Sequence, residues 1–186
     1  MEFLDIVDEN GVPTGAVIDR ETAHRDGVRH RTAHVWLARI RDGKPELLLQ
    51  KRSRNKDSHP GCYDISSAGH IPAGEDYVPS ALRELKEELG LTARPDELID
   101  CGLRRFRFQA SFHGRPFRDD QVSRVFLLWR DAEPDALALQ QSEVESVRWM
   151  DFDACLAMVR SGKPENCIYE EELRMLTPQL EKGERK

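Results

Sequence analysis

The sequence predicts a mixed α/β (α+β) fold, with a β-sheet of mixed strand direction flanked by helices. Three observations lead there. Short runs rich in β-branched and aromatic residues recur along the chain, bounded by Gly, Pro and Asn turn signals. One central segment, Val78 to Leu91, carries an apolar face at helical spacing. Two more helical segments, at about 151–181, follow the last strand-like run. Strands interleaved with helices bury their apolar faces best as stacked layers.

The elements follow in order. Phe3 to Val7 and Gly15 to Ile18 read as an N-terminal strand pair, within about 1–30, around the turn signal Asn10-Gly11. His34 to Ile40 reads as a strand, Gly43-Lys44-Pro45 as a turn and Glu46 to Lys51 as the hairpin partner. In the central helix Pro79 lies near the start, where a missing N–H costs least. Ala81, Leu82, Leu85 and Leu89 share its apolar face, and Gly90 can end it. Cys101 to Phe112 and Val122 to Trp129 read as strands split by the polar stretch His113 to Gln121. Val144 to Met150 is a last short strand. Asp151 to Arg160 is expected to be a helix, capped by Asp151 or Asp153 and stopped by Gly162. Glu170 to Leu180 is expected to be another, with Pro178 weakening its end.

The 186 residues suit a single domain, 1–186. The 28 basic and 34 acidic residues give a formal net charge of −6, which argues against a nucleic-acid polymer as partner. Phosphate-bearing small molecules remain compatible, because a bound divalent cation can supply the positive charge. No apolar run is long enough to span a bilayer, and Met1 to Asp8 lacks the features of a signal peptide, so a cytoplasmic location is expected. Cys62, Cys101, Cys155 and Cys167 show no C-x-x-C spacing and are expected to be free, mostly buried thiols. Trp36, Trp129 and Trp149 are expected in the core.

The chemistry concentrates in Gly69 to Leu91. Glu84, Glu87 and Glu88 stand at i, i+3 and i+4 and share one helix face. Like charges there repel, and a hard divalent cation such as Mg2+ would offset the repulsion. On the glutamates alone, a solvated acidic helix face is the simpler reading. The full spacing changes the balance. It resembles the Nudix box, G-x5-E-x7-R-E-U-x-E-E-x-G-U with U apolar. Gly69, Glu75, Arg83, Glu84, Leu85, Glu87, Glu88, Gly90 and Leu91 fill every specified place.

The resemblance implies the Nudix fold, a mixed β-sheet sandwiched between helices, and hydrolysis of a diphosphate linkage in a nucleoside diphosphate joined to another moiety. It implies Mg2+ (Mn2+ possible) as cofactor, a small-molecule diphosphate as partner, and homodimers as a common assembly. Glu84, Glu87 and Glu88 would be the catalytic and metal-binding carboxylates, with the Gly69 carbonyl as an added ligand. Glu75 and Arg83 would form a supporting pair. A general base is expected from Glu87 or Glu88, or from an acid outside the box: Glu143, Glu145, Asp119 or Asp120. Arg52 and Arg54 follow a strand and could contact phosphate.

A second resemblance precedes the box. Asp5-Ile6-Val7-Asp8-Glu9-Asn10-Gly11, Gly15, Thr22-Ala23-His24, His30, Leu49 to Ser53 and His59-Pro60-Gly61 look like isopentenyl-diphosphate isomerases and hydrolases related to them. Such isomerases carry a catalytic cysteine two residues before the histidine of their Gly-His pair; here that place holds Ala68. Their later glutamate pair aligns near Asp119 and Gln121, so one acid is absent. The hydrolase reading therefore leads, the isomerase is its enzymatic alternative, and a ligand-sensing domain without catalysis is the third. His24, His30 and His70 are candidates for a second metal site, as similar histidines are in the isomerases, or else ordinary hydrogen-bonded histidines.

Overall fold

The computed structural model describes residues 2–183. A two-stranded hairpin, β1 (Phe3–Val7) and β2 (Pro13–Asp19), stands before the main sheet. Its turn rests on the Asp8 carboxylate, which accepts from the backbone N–H of Asn10 and Val12 at 2.8 and 2.9 Å, while Gly11 takes a φ of 77°. A short helix, α1 (Arg20–Asp26), follows directly, capped by Asp19 and ended by Gly27. The strand and turn patterns left this segment without an assignment; its cap and its Gly stop were the local signals.

The main sheet contains β3 (His30–Arg41), β4 (Lys44–Arg52), β5 (Tyr63–Asp64), β6 (Ser67–His70), β7 (Ile99–Phe112), β8 (Arg115–Trp129) and β9 (Val144–Asp151). β3 is central. It runs parallel to β8 on one side. On its other side it pairs antiparallel with β4 through Ala38 to Arg41 and with β6 through Thr32 to Val35. The strands β3 and β4 thus diverge, and β6 fills the gap with Gly69 opposite Ala33. Gly69, the first residue of the box, lies within β6.

Alternation along the strands sorts two cores. Ala33, Val35, Leu37, Leu48, Phe126 and Leu128 point to one face and pack under α2 (Tyr77–Leu89), against Ala81, Leu85 and Leu89. Trp36, Leu47, Leu49, Val125 and Leu127 point to the other, under α3 (Phe152–Ser161) and α4 (Glu170–Gly183). Helices therefore cover both faces of a mixed sheet, as the α+β reading requires. α2 is capped by Asp76 and closed by left-handed Gly90; α3 is capped by Asp151, whose carboxylate accepts from Ala154 N–H at 3.1 Å. α4 runs through Pro178 to Gly183, past the expected weak end.

Two expectations are corrected. The polar stretch His113 to Gln121 is largely strand: β8 begins at Arg115, and only His113-Gly114 form the turn, both at positive φ. Of its residues that line a cleft, Phe117 is apolar but Asp119 and Gln121 are polar, which hides the strand from a hydrophobicity pattern. Among the cysteines, all free, only Cys155 is buried and the other three are half-buried. Trp36 is fully buried, while Trp129 and Trp149 pack at the edges of the two cores.

Candidate functional site

The segment joining β6 to α2 is held from three sides. Ala73 N–H donates to the Phe3 carbonyl at 2.8 Å, and Gly74 N–H donates to the Asp5 carboxylate at 2.9 Å. The same Asp5 oxygen accepts from the buried Arg31 guanidinium at 2.9 Å, and Arg31 also reaches the Glu75 carbonyl at 2.7 Å. The N-terminal hairpin is thereby a brace for this loop.

On α2 the three glutamates differ in burial. Glu88 is buried beneath β6 and one of its oxygens accepts from Ala68 N–H at 3.2 Å. Glu84 lies against Gly69 so closely that a Cβ there would collide with its carboxyl group. Glu87 is half-exposed at the helix edge. Arg83 lies between them, 2.7 Å from Glu84 and 3.2 Å from Glu87, and donates to the His70 carbonyl at 3.2 Å. Glu75 is more distant from it, at 4.0 Å, and instead accepts from the Ser80 hydroxyl at 3.1 Å.

This donor set fits a hard divalent cation. Burial pushes the Glu88 carboxyl up to about 8, so at neutral pH it holds a proton that a cation would displace, and burial also raises Glu84. The Arg83 guanidinium already places positive charge between Glu84 and Glu87. The missing side chain at Gly69 lets the Glu84 carboxyl lie directly against its backbone.

Next to this region lies a cleft of about 1110 Å³. α1, β6, the β7–β8 hairpin, the β4–β5 loop and the start of α4 line it. Phe106, Phe108 and Phe112 of β7 and Phe117 of β8 form an aromatic wall, joined by His59, whose ring lies 5.1 Å from Phe108 and 4.9 Å from Phe112.

At the cleft the fold gathers His24 of α1, His30 of β3 and His70 of β6, with ligand atoms within 4.8 Å of one another. His24 Nε2 and His70 Nε2 are 3.2 Å apart. His30 Nδ1 donates to the Val28 carbonyl at 2.9 Å, so in the neutral ring Nε2 is a lone pair facing inward. Burial drives the pKa of all three down, His24 to about 3, so the rings stay neutral. Asp119 of β8 completes the group: its Oδ1 is 3.5 Å from His30 Nε2 and 3.9 Å from His24 Nε2. Neither His30 Nε2 nor Asp119 Oδ1 has a hydrogen-bond partner among the described residues, and both are buried. Burial also lifts the Asp119 carboxyl to about 7. Two buried acceptors facing each other need a proton or a cation between them.

The other sequence candidates divide by place. Arg52 lines the cleft, paired with Asp64 at 2.9 Å and with the Ser58 carbonyl at 2.9 Å. Arg54 is exposed outside it, 3.6 Å from Glu145. Glu145 also binds Lys51 at 2.8 Å, Glu143 pairs with Lys56, and Asp120 is held by Arg29 and Arg107 at 2.8 and 2.9 Å. Of these four acids, Asp119 alone combines a place in the cleft lining with an unpartnered oxygen. Sequence reasoning missed His34, Arg104 and Glu172, which meet in the cleft floor; the lone buried charges on a strand and an acidic helix start gave no usable signal.

Comparison with known proteins agrees with this architecture. The NUDIX domain family matches residues 28–166. A Nudix hydrolase of Clostridium acetobutylicum is 37% identical over 152 residues, covering 82% of this chain and 71% of that protein. Nudix hydrolase 3 of Arabidopsis thaliana is 36% identical over 154 residues, 82% of this chain but 19% of that longer protein. In fold, the chain resembles a crystal structure from Deinococcus radiodurans (TM-score 0.66, 21% identity, covering 95% of this chain and 98% of that one). It also resembles the NUDIX domain of Shewanella oneidensis NrtR complexed with ADP ribose (TM-score 0.59, 16% identity, 88% and 94% covered). No helix among the described residues is long and apolar enough to cross a membrane. The family match over most of the chain, its relatives and the intact glutamate helix together place this protein in the Nudix hydrolase family.

Proposed function

We propose that the chain acts as one Nudix domain that hydrolyses a diphosphate linkage in a nucleoside diphosphate joined to another moiety, with Mg2+ or Mn2+ as cofactor. The observation that carries this reading is the fit of Glu84 and Glu88 beneath β6, where Gly69 alone leaves room. Glu84, Glu87, Glu88 and the Gly69 carbonyl would hold the cation, which when bound neutralises diphosphate oxygens and acidifies water. The chain's own residues do the rest. Arg83 ties α2 to the His70 carbonyl and so fixes the carboxylates against the strand. Arg52 supplies positive charge in the cleft, and the aromatic wall offers a surface for the organic part of the substrate.

We assign a second cation to His24, His30 and His70 with Asp119, because three neutral imidazoles and one carboxylate make a four-donor set of the kind Zn2+ takes. This cluster favours the branch of the family near the isopentenyl-diphosphate isomerases. Isomerisation itself is disfavoured by Ala68, which cannot exchange a proton, and a sensing role is disfavoured by the complete glutamate set.

The test is incubation with Mg2+ against nucleoside-diphosphate-linked compounds and isopentenyl diphosphate, with products separated by chromatography. Cleavage that chelator abolishes, and that Glu87→Gln lowers by about 100-fold or more, is expected. Double-bond migration without cleavage, or tight binding without turnover, would overturn the hydrolase reading.

A further inference from the structure

A chain of buried and half-buried hydrogen bonds runs behind Asp119, and no step of the proposed hydrolysis uses it. It begins at Glu172 on α4, which is buried. One Glu172 oxygen accepts from Trp36 Nε1 at 2.8 Å and from His34 Nδ1 at 2.9 Å; the other accepts from Arg104 at 3.4 Å. Arg104 is itself clamped between the Phe106 and Tyr169 rings, 4.5 and 4.6 Å from their centroids. His34 is thus fixed with Nδ1 toward α4 and Nε2 toward the Thr32 hydroxyl at 3.3 Å. The Thr32 and Ser123 hydroxyls are 2.7 Å apart and both reach Gln121 Oε1, at 3.2 and 3.4 Å. Gln121 Nε2 then donates to Asp119 Oδ2.

The polarity of this chain has a direction. One hydroxyl of the Thr32–Ser123 pair donates to the other, and the remaining hydroxyl proton on the Gln121 carbonyl leaves its NH2 group toward Asp119. A flipped amide would set oxygen against oxygen in a buried place. One Asp119 oxygen is therefore tied down, and the other, unpartnered, faces His30 and His24.

We propose that Gln121, oriented by Thr32 and Ser123 and backed by the His34–Glu172 pair, is the positioning group that presents Asp119 to the histidine cation site. The inference rests on the histidine-site assignment. It makes α4, remote in sequence, part of that site's support, and it gives Gln121 a role as amide donor. Groups that orient a ligating carboxylate in this way commonly change metal affinity by 10- to 100-fold.

The test measures Zn2+ affinity of the full chain by competition with a colorimetric chelator, because zinc favours imidazole over the all-oxygen set on α2. Gln121→Leu is expected to weaken Zn2+ by about 10- to 100-fold. Thr32→Val, which keeps the shape and deletes only the hydroxyl, should weaken it in the same direction, and Thr32→Ser should restore it. Melting temperatures of the metal-free variants identify any that fail to fold, and the Val/Ser pair keeps the comparison if Gln121→Leu is lost. If wild type and His24→Ala bind Zn2+ equally weakly, the histidine site falls and the positioning role with it. If His24→Ala abolishes tight binding but Gln121→Leu and Thr32→Val leave it unchanged, the site stands and the positioning role is overturned.

Discussion

Gly69 shows how one absent side chain shapes the candidate site. Strand pairing sets its backbone opposite Ala33, and α2 brings the Glu84 carboxyl into the space a Cβ would fill. Its backbone is not in the left-handed region, so the requirement for glycine is one of close approach, not of φ. Gly69→Ala must push Glu84 away by displacing a half-buried carboxylate. Turnover is expected to fall by about 100-fold, the usual result of misplacing a reacting group by about 1 Å. The α2 fold should persist, so steady-state kinetics beside a thermal melt checks it: wild-type turnover in Gly69→Ala would remove the glycine from the site. The spacing of the box marked this residue without showing why. The sequence could place Glu84 and Glu88 on one helix face, but it could not reveal that β6 lies over that face.

Among elements, the N-terminal hairpin has the least predictable role. Its alternating pattern and Asn10-Gly11 turn announce two strands, and β1 and β2 do pair. What the pattern does not disclose is that β1 braces the β6–α2 loop through Asp5, Phe3 and the Leu4–Pro72 bridge. Asp5 and Arg31 are both buried, and each also bonds the loop backbone. Asp5→Ala would leave the buried guanidinium with only the exposed Asp76 carboxylate, 3.9 Å away, and breaking a buried pair costs up to about 3–5 kcal/mol. Chemical denaturation should show that loss. Activity should fall beyond the loss of folded protein, because the loop carrying Glu75 is released. α1 and the extended β8 escaped the sequence reading for a related reason. Their inward faces mix polar groups such as His24, Asp119 and Gln121 with few apolar ones and line a cleft instead of a core, so hydrophobic periodicity has little to register.

Across the whole molecule, Glu172 links layers far apart in sequence: α4 to β3 through His34 and Trp36, and to β7 through Arg104. Burial alone would raise its pKa, but His34, Arg104 and Trp36 outweigh that and hold it below the usual 4.5. The sign follows from proton uptake. Below 4.5 the unfolded chain protonates this group before the folded one does, so its stabilisation is complete above 4.5 and disappears as pH falls through the lower folded value. Glu172→Gln removes that contribution at every pH. At neutral pH the variant is expected to be less stable by about 3 kcal/mol, the cost of unpairing buried charge. The gap between wild type and variant should narrow as denaturation is followed from pH 6 to pH 3. A constant gap would show that Glu172 does not titrate with folding.

The sequence by itself determined the sheet-and-helix class, most of the strands, the central amphipathic helix with its Gly90 stop, and the Gly69 to Leu91 spacing of the family. These are local properties, written in periods of two and 3.6 residues and in the conformational limits of Gly, Pro and capping Asp. Only the tertiary structure decided that His24, His30, His70 and Asp119 meet, that Arg54, Glu143, Glu145 and Asp120 are engaged elsewhere, and that Glu172 closes a network reaching from α4 to β8. Those groups come from separate elements, and their meeting depends on where β3 leaves β4 and admits β6. No local pattern encodes that divergence, because it is settled by how the two cores pack against a single sheet.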